Sequence, residues 1–207
     1  KIWLQQLVNY MNNSLGYFEI MHAARGLHFF INDLSTWYIR RSRNRIVAGE
    51  MHALSTLHHV LVEFTKLIAP FIPFVSESIY LNLTGNESVH LTEYPQYKEL
   101  TESQRLQLHE MEQARLICSL GNAQRKEKNV SIRQPLLLLT VHGVNNLAEY
   151  ESVIKEELNV RTIEWKSGQS SMFVELDTDN IPQDLLDEGQ ARNLIRKIQE
   201  LRKEKGY

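Results

Sequence analysis

The sequence predicts a mainly α protein, a helical bundle over residues 1–132 followed by a small α+β domain, β-α-β-β-α in chain order, over residues 133–207. Three observations carry that prediction. Apolar residues recur three and four apart through the first two-thirds of the chain, the spacing that gives a helix one apolar face. From Pro135 onward the pattern changes to a continuous apolar run and two alternating segments separated by helical stretches. Neither a low-complexity linker nor an internal repeat intervenes, so the boundary is placed at the change of character, between residues 132 and 133.

The elements follow in order. Trp3, Leu4, Leu7, Val8, Met11 and Leu15 define a first helix, with Gly16 as its expected stop. Ile20, Ala23, Ala24, Leu27, Phe30, Ile31, Leu34, Trp37 and Tyr38 define a longer second one that reaches an arginine cluster, with Gly49 closing the region. Leu54, Leu57, Leu61, Phe64 and Leu67 mark a third helix, ended by the prolines of Ala69-Pro70-Phe71-Ile72-Pro73-Phe74, and a short fourth spans about Ser76 to Leu83. Thr84-Gly85-Asn86 signals a turn, and the stretch through Tyr94-Pro95 reads as a loop. Leu106, Met111, Leu116, Ile117 and Leu120 outline a helix from about Ser103, its expected cap, to Lys128. Beyond Pro135, Leu136–Val141 reads as a buried strand and Leu147–Leu158 as a helix. Val160–Trp165 and Met172–Leu176 read as strands around Ser167-Gly168-Gln169, and Glu188–Lys205 as the last helix.

Composition narrows the function classes. No apolar run approaches the roughly 20 residues of a membrane span. Cys118 stands alone, which excludes a disulfide framework or a cysteine-ligated zinc site within these residues and fits a reducing compartment. The chain opens on Lys1 in what already reads as helix, the expectation for a piece of a longer polypeptide. A net charge of −2 excludes a simple polyanion coat, yet charge is segregated: four arginines and no acid lie between Asp33 and Glu50, and six bases face two acids from Arg192 to Lys205.

Arg40, Arg41, Arg43 and Arg45 follow the aromatic pair Trp37-Tyr38 in a helical segment. Each guanidinium can grip a phosphate through two parallel hydrogen bonds, so the cluster is the first candidate for contacts to an RNA backbone. The bland alternative is a solvated helix end whose cations face the C-terminal dipole. Arg125, Lys126, Lys128 and Arg133, at the expected domain junction, form a second candidate set with the same alternative. The bases of the last helix, interrupted by Glu200 and Glu204, read as a solvated amphipathic face. His52, His59 and Glu63 share a helical side but lack the ligand pattern of a zinc site, so no metal is expected. Walker-type and dinucleotide glycine loops and the G-x-S-x-G elbow are missing, so no catalytic residue is expected here.

Several runs in a shared order resemble the isoleucyl-tRNA synthetase family. Asp33-Leu34-Ser35-Thr36-Trp37-Tyr38-Ile39-Arg40-Arg41 is similar to its "DLS-x-WY" stretch running into basic residues. The segment from Leu67 to Tyr80 resembles "LAPFxPFxxExxY", and Ser88-Val89-His90-Leu91 resembles "S-V-H-L". Arg133-Gln134-Pro135-Leu136, Glu157-Leu158-Asn159-Val160 and Glu188-Gly189-Gln190-Ala191-Arg192 resemble "R-Q-P-L", "E-L-N-V" and "E-G-x-x-R". The proline-rich stretch alone also fits valyl or leucyl enzymes. The resemblance implies a helical-bundle anticodon-binding domain and a small mixed domain, with tRNA-Ile and the catalytic domain of the same polypeptide as partners. It further implies a cytoplasmic, monomeric enzyme that uses ATP and Mg in upstream domains, no cofactor being expected in these residues. On that reading Asp33 and Trp37 face the catalytic domain. The competing class is a helical protein-interaction module whose arginines meet acidic partners.

Overall fold

Helical spacing becomes helix through most of the chain in the computed structural model, which describes residues 1–168 and 171–207. The chain divides into two compact units, Lys1–Gln104 and Arg105–Tyr207. The first holds α1 (Ile2–Gly16), α2 (Ile20–Asp33), a six-residue π-helical turn (Leu34–Ile39), α3 (Arg40–Val47), α4 (Met51–Ile68) and α5 (Pro73–Thr84). Its core joins α1, α2 and α4: Leu4, Leu7, Val8, Met11, Ala23, Leu27, Phe30, Phe64 and Leu67 are buried. Phe30 stacks between Trp3 and Phe64, with ring centroids 4.3 and 5.5 Å away.

Two helix ends carry details that the sequence reading did not contain. α1 ends at Gly16 as expected, but the glycine is not the left-handed residue of its closure. The left-handed residue is Phe18, with φ 59°, while Glu19 N–H bonds Ser14 O and Phe18 N–H bonds Leu15 O, the paired closure in which glycine usually holds that place. Phe18 is 87% exposed, so its ring contributes little packing to offset the conformational cost. Phe18→Gly is expected to stabilise the chain by about 0.5–1 kcal/mol in urea unfolding; an unchanged or lower midpoint would show that the ring is held by packing.

The long helix α6 (Glu102–Glu127) is capped by Thr101 and not by Ser103. The Gln104 amide N–H donates to Thr101 Oγ1 at 3.3 Å, and Thr101 N–H donates to Gln104 Oε1 at 3.0 Å, a reciprocal cap of the T-x-x-Q kind. Pro73, expected to interrupt, instead opens α5 at a position where its missing N–H costs nothing, and Gly85 (φ 68°) closes that helix. The loop after it contains one 3₁₀ turn (Val89–Leu91).

In the second unit, β1 (Leu136–His142), α7 (Glu151–Leu158), β2 (Val160–Lys166), β3 (Phe173–Leu176) and α8 (Gln183–Glu204) follow the expected order. The sheet order is β2-β1-β3. β1 runs parallel to β2, pairing Leu136 with Val160, and antiparallel to β3, pairing Leu139 with Leu176. The two later strands thus flank β1 instead of pairing with each other. Gln169 of the expected intervening turn lies outside the described residues.

α6 packs on this sheet through small residues. Ala114, Ile117, Cys118 and Gly121 are buried, whereas Leu106 and Leu116 of the expected apolar outline are exposed. A Cβ on Gly121 would collide with the Leu158 side chain, which fixes how closely helix and core approach. Gln124 continues the bonding of β3, donating to Val174 O at 2.5 Å and accepting from Leu176 N–H at 3.0 Å. The expected boundary at 132/133 follows the change in sequence character, while packing groups α6, from Arg105 on, with the sheet.

Candidate nucleic-acid interface

The arginine cluster begins where the second helix widens. Over Leu34–Ile39 the backbone takes the wider π-helical turn, and side-chain donors serve nearby carbonyls. Ser35 Oγ donates to Ile31 O and Thr36 Oγ1 to Asn32 O, both at 2.8 Å, and Arg40 Nε donates to Thr36 O at 2.7 Å. The serine and threonine of the "DLS-x-WY" run therefore support the bulge itself. The wider turn changes the direction in which the following residues point, a change that a uniform helical period cannot anticipate.

Beyond the bulge, Arg40, Arg43 and Arg45 are exposed and Arg41 is half-buried. The Arg41 guanidinium lies over the Trp37 ring, 5.6 Å from its centroid, so the half-buried tryptophan orients a cation. Tyr38 packs against the core. Arg45 is committed differently: Nε and Nη2 donate to the two oxygens of Glu50 at 2.7 and 2.5 Å. That hydrogen bond holds the Glu50 carboxyl below the ordinary range and raises Arg45. The pair closes the turn between α3 and α4; of the other arginines in this segment, Arg40 and Arg43 are exposed and Arg41 is half-buried. Asp33, at the end of α2, is half-buried.

The junction set separates. Lys126 is exposed, Lys128 is exposed and donates from Nζ to Thr178 Oγ1 at 2.9 Å, and Arg133 is half-buried. Arg125, expected on the surface with them, is 2% exposed. Its Nε reaches Leu158 O at 3.1 Å; Nη1 reaches Ser131 O and Gln134 O, each at 3.0 Å; Nη2 reaches Leu158 O at 2.6 Å and Asn159 O at 3.2 Å. Five N–H groups are all a guanidinium has, so no donor remains for a phosphate. Burial pushes Arg125 down to about 10, which still leaves it charged at neutral pH among carbonyl dipoles. Its place is the centre of the second unit, and the RNA-contact expectation for it is corrected on that ground.

Around Arg125 three separated sequence runs converge. Gln134 Nε2 donates to Pro135 O at 3.0 Å and to Leu185 O at 2.8 Å, and Gly189 lets α8 come so close that a Cβ would collide with the Gln134 amide. Asn159, left-handed at φ 49°, donates to Ile132 O at 2.8 Å and accepts from Arg192 Nη1 at 3.1 Å. Glu188 accepts from Arg192 at 2.6 Å and from Arg161. Arg161 escaped the sequence reading because it is an isolated base in a strand. In the first unit, Glu77 similarly accepts from Val89 N–H at 2.8 Å and Ser88 Oγ at 3.1 Å, which joins the "LAPFxPFxxExxY" and "S-V-H-L" runs structurally.

Among the described residues no three histidine, cysteine, aspartate or glutamate side chains stand together as a metal site, and Cys118 is buried. No described helix is long and apolar enough to cross a membrane.

Residues 3–141 match the family described as the anticodon-binding domain of tRNA ligase. The chain is similar to the isoleucine–tRNA ligase of Protochlamydia amoebophila, 36% identical over 186 residues, covering 84% of this chain and 18% of that protein. Against isoleucine–tRNA ligase 2 of a Bacillus cereus strain the identity is 40% over 153 residues, 70% of this chain and 15% of the relative. For the Chlamydia trachomatis isoleucine–tRNA ligase it is 39% over 179 residues, 79% and 17%. The chain thus spans less than a fifth of the length of these curated relatives. With the family match running from α1 into β1 and so including the arginine helix, the chain belongs to the anticodon-binding domain family of tRNA ligases.

Proposed function

We propose that this chain is the tRNA-docking region of an isoleucyl-tRNA synthetase and that it binds the anticodon stem and loop of tRNA-Ile. The observation that carries the reading is the cluster of arginines Arg40, Arg41 and Arg43, placed just after a π-helical turn inside the segment that matches the family. Those guanidiniums hold RNA phosphates and set the register of the complex, with Lys126, Lys128 and Arg133 as further backbone contacts. Arg45 contributes through its closure of the turn with Glu50. Asp33 and Trp37 face the catalytic domain of the same polypeptide, where ATP and Mg serve attachment of isoleucine. The work done by these 207 residues is binding, without a cofactor, in a monomeric enzyme of the cytoplasm.

The test is binding of the 207-residue chain to tRNA-Ile, and to the same tRNA with an altered anticodon, by fluorescence anisotropy across a salt series. The expected result is affinity that falls steeply with salt and drops on altering the anticodon. Absence of binding to either RNA at low salt overturns the docking assignment. Equal binding to both RNAs overturns anticodon recognition by this region.

A further inference from the structure

The meeting of "E-L-N-V" and "E-G-x-x-R" leaves a fixed cationic surface on the second unit. Glu188 gives one carboxylate oxygen to Arg161 and the other to Arg192, and Arg192 is held from a second side by Asn159. Strand β2, the left-handed end of α7 and the start of α8 therefore fix two guanidiniums side by side, 47% and 42% exposed. One carboxylate between two arginines leaves a net positive charge. Surface ion pairs of this kind add little stability, so fold stabilisation alone is a weak reason for two arginines on one glutamate. Arg192 uses two of its five donors here and Arg161 one, and no further acceptor stands within bonding distance of either among the described residues.

The surface continues along α8, where every residue from Gln190 onward is exposed. At about 100° per residue, Arg192, Arg196 and Lys203 fall within about 40° of one another, following Glu188 up one side of the helix. Leu194, Ile198 and Leu201 lie on the other side, and exposed Ile195 borders the basic side next to the direction of Glu188. Arg196 pairs with Glu200, leaving four cations against two carboxylates. From residue 192 to residue 203 this side runs about 16 Å, longer than a single carboxylate and suited to a chain of anions.

We propose that Arg161 and Arg192, fixed on Glu188, together with Arg196 and Lys203, form a second phosphate-binding track for the RNA backbone. This proposal rests on the reading of the chain as tRNA-binding. The arginines come to the RNA already ordered, so less side-chain entropy is lost on binding, and the forked guanidinium suits a phosphate through two hydrogen bonds.

The experiment measures anisotropy of labelled tRNA-Ile with the 207-residue chain across a salt series, for the unaltered chain and for R161Q/R192Q, R161K/R192K and R196Q/K203Q. If each arginine of the clamp neutralises one phosphate, R161Q/R192Q lowers the slope of log K against log salt by about 1.4 and weakens binding at least about tenfold near 0.1 M salt. R161K/R192K keeps most of the slope, and R196Q/K203Q lowers it by about 1 or more. Thermal melts accompany each variant; should R161Q/R192Q fail to fold, R196Q/K203Q decides, because those side chains hold no other element. Unchanged slopes in folded track variants, while R43A lowers the slope, overturn the track and leave the docking reading standing. No binding by the unaltered chain overturns both. Binding of polyglutamate that depends on these four residues, with tRNA binding indifferent to them, overturns the RNA track in favour of an acidic protein partner.

Discussion

Arg125→Met is expected to destabilise the second unit by about 3–5 kcal/mol, which lowers its melting temperature by more than about 10 °C. Methionine fills much of the volume but donates nothing, so the carbonyls of Leu158, Asn159, Ser131 and Gln134 lose their common partner in a place water does not reach readily. Two of those carbonyls end α7, where the helix has no further N–H to offer them. Arg125→Lys is expected to recover only part of the loss. An ammonium has three donors on a flexible stem and cannot span four carbonyls placed for a planar fork. Circular dichroism melts of the two variants make the comparison. A melt like that of the unaltered chain, together with a reduced salt slope for tRNA, would mean that Arg125 faces the RNA and that its buried bonding does not hold in solution.

Arg125 also marks where sequence reading stops. Its spacing already aligned it with Ala114, Ile117, Cys118 and Gly121, the face that is buried, but a basic residue beside Lys126 and Lys128 reads as surface on composition. Only the carbonyls of a turn and a distant helix end, about 6 to 34 residues away in sequence, make burial affordable, and no local pattern encodes them. The helices and the β-α-β-β-α order were legible because one-sided apolar periodicity is a local signal. Thr101 was legible too, as the first residue of T-x-x-Q, though Ser103 was the more obvious cap. The π-helical turn was not, since Leu34, Trp37 and Tyr38 fit an ordinary helical period equally well. In the arginine run, the sequence showed four equivalent cations; the Arg45–Glu50 closure, made across the Gly49 turn, separates one from the other three. Similarly, Arg192 looked like one base of a solvated face until Arg161, Asn159 and Glu188 met around it.

That separation sets the second large expectation. R40A/R41A/R43A is expected to lower the slope of log K against log salt for tRNA-Ile by about 2 and to weaken binding about 100-fold near 0.1 M salt, because three cations each release about 0.7 counterion equivalents per phosphate. A modest loss of stability accompanies the triple substitution, since Arg40 Nε bonds Thr36 O in the π-helical turn and Arg41 stacks on Trp37, so thermal melts check that each variant is folded at the assay temperature. R45A provides the contrast. Its guanidinium is already bidentate on Glu50, so its loss is expected to loosen the turn into α4 and to leave the slope nearly unchanged. Trp37→Leu separates orientation from charge: it keeps every cation but removes the ring under Arg41, and a loss of a few-fold in affinity at constant slope is expected. Equal slope losses for R45A and R43A would mean that the segment acts as a diffuse positive field, in which case the geometry after the π-helical turn has no part in placing the RNA. A slope that responds to Arg40, Arg41 and Arg43 but not to Arg45 requires particular guanidiniums at particular phosphates, and the widened turn is then the element that aims them.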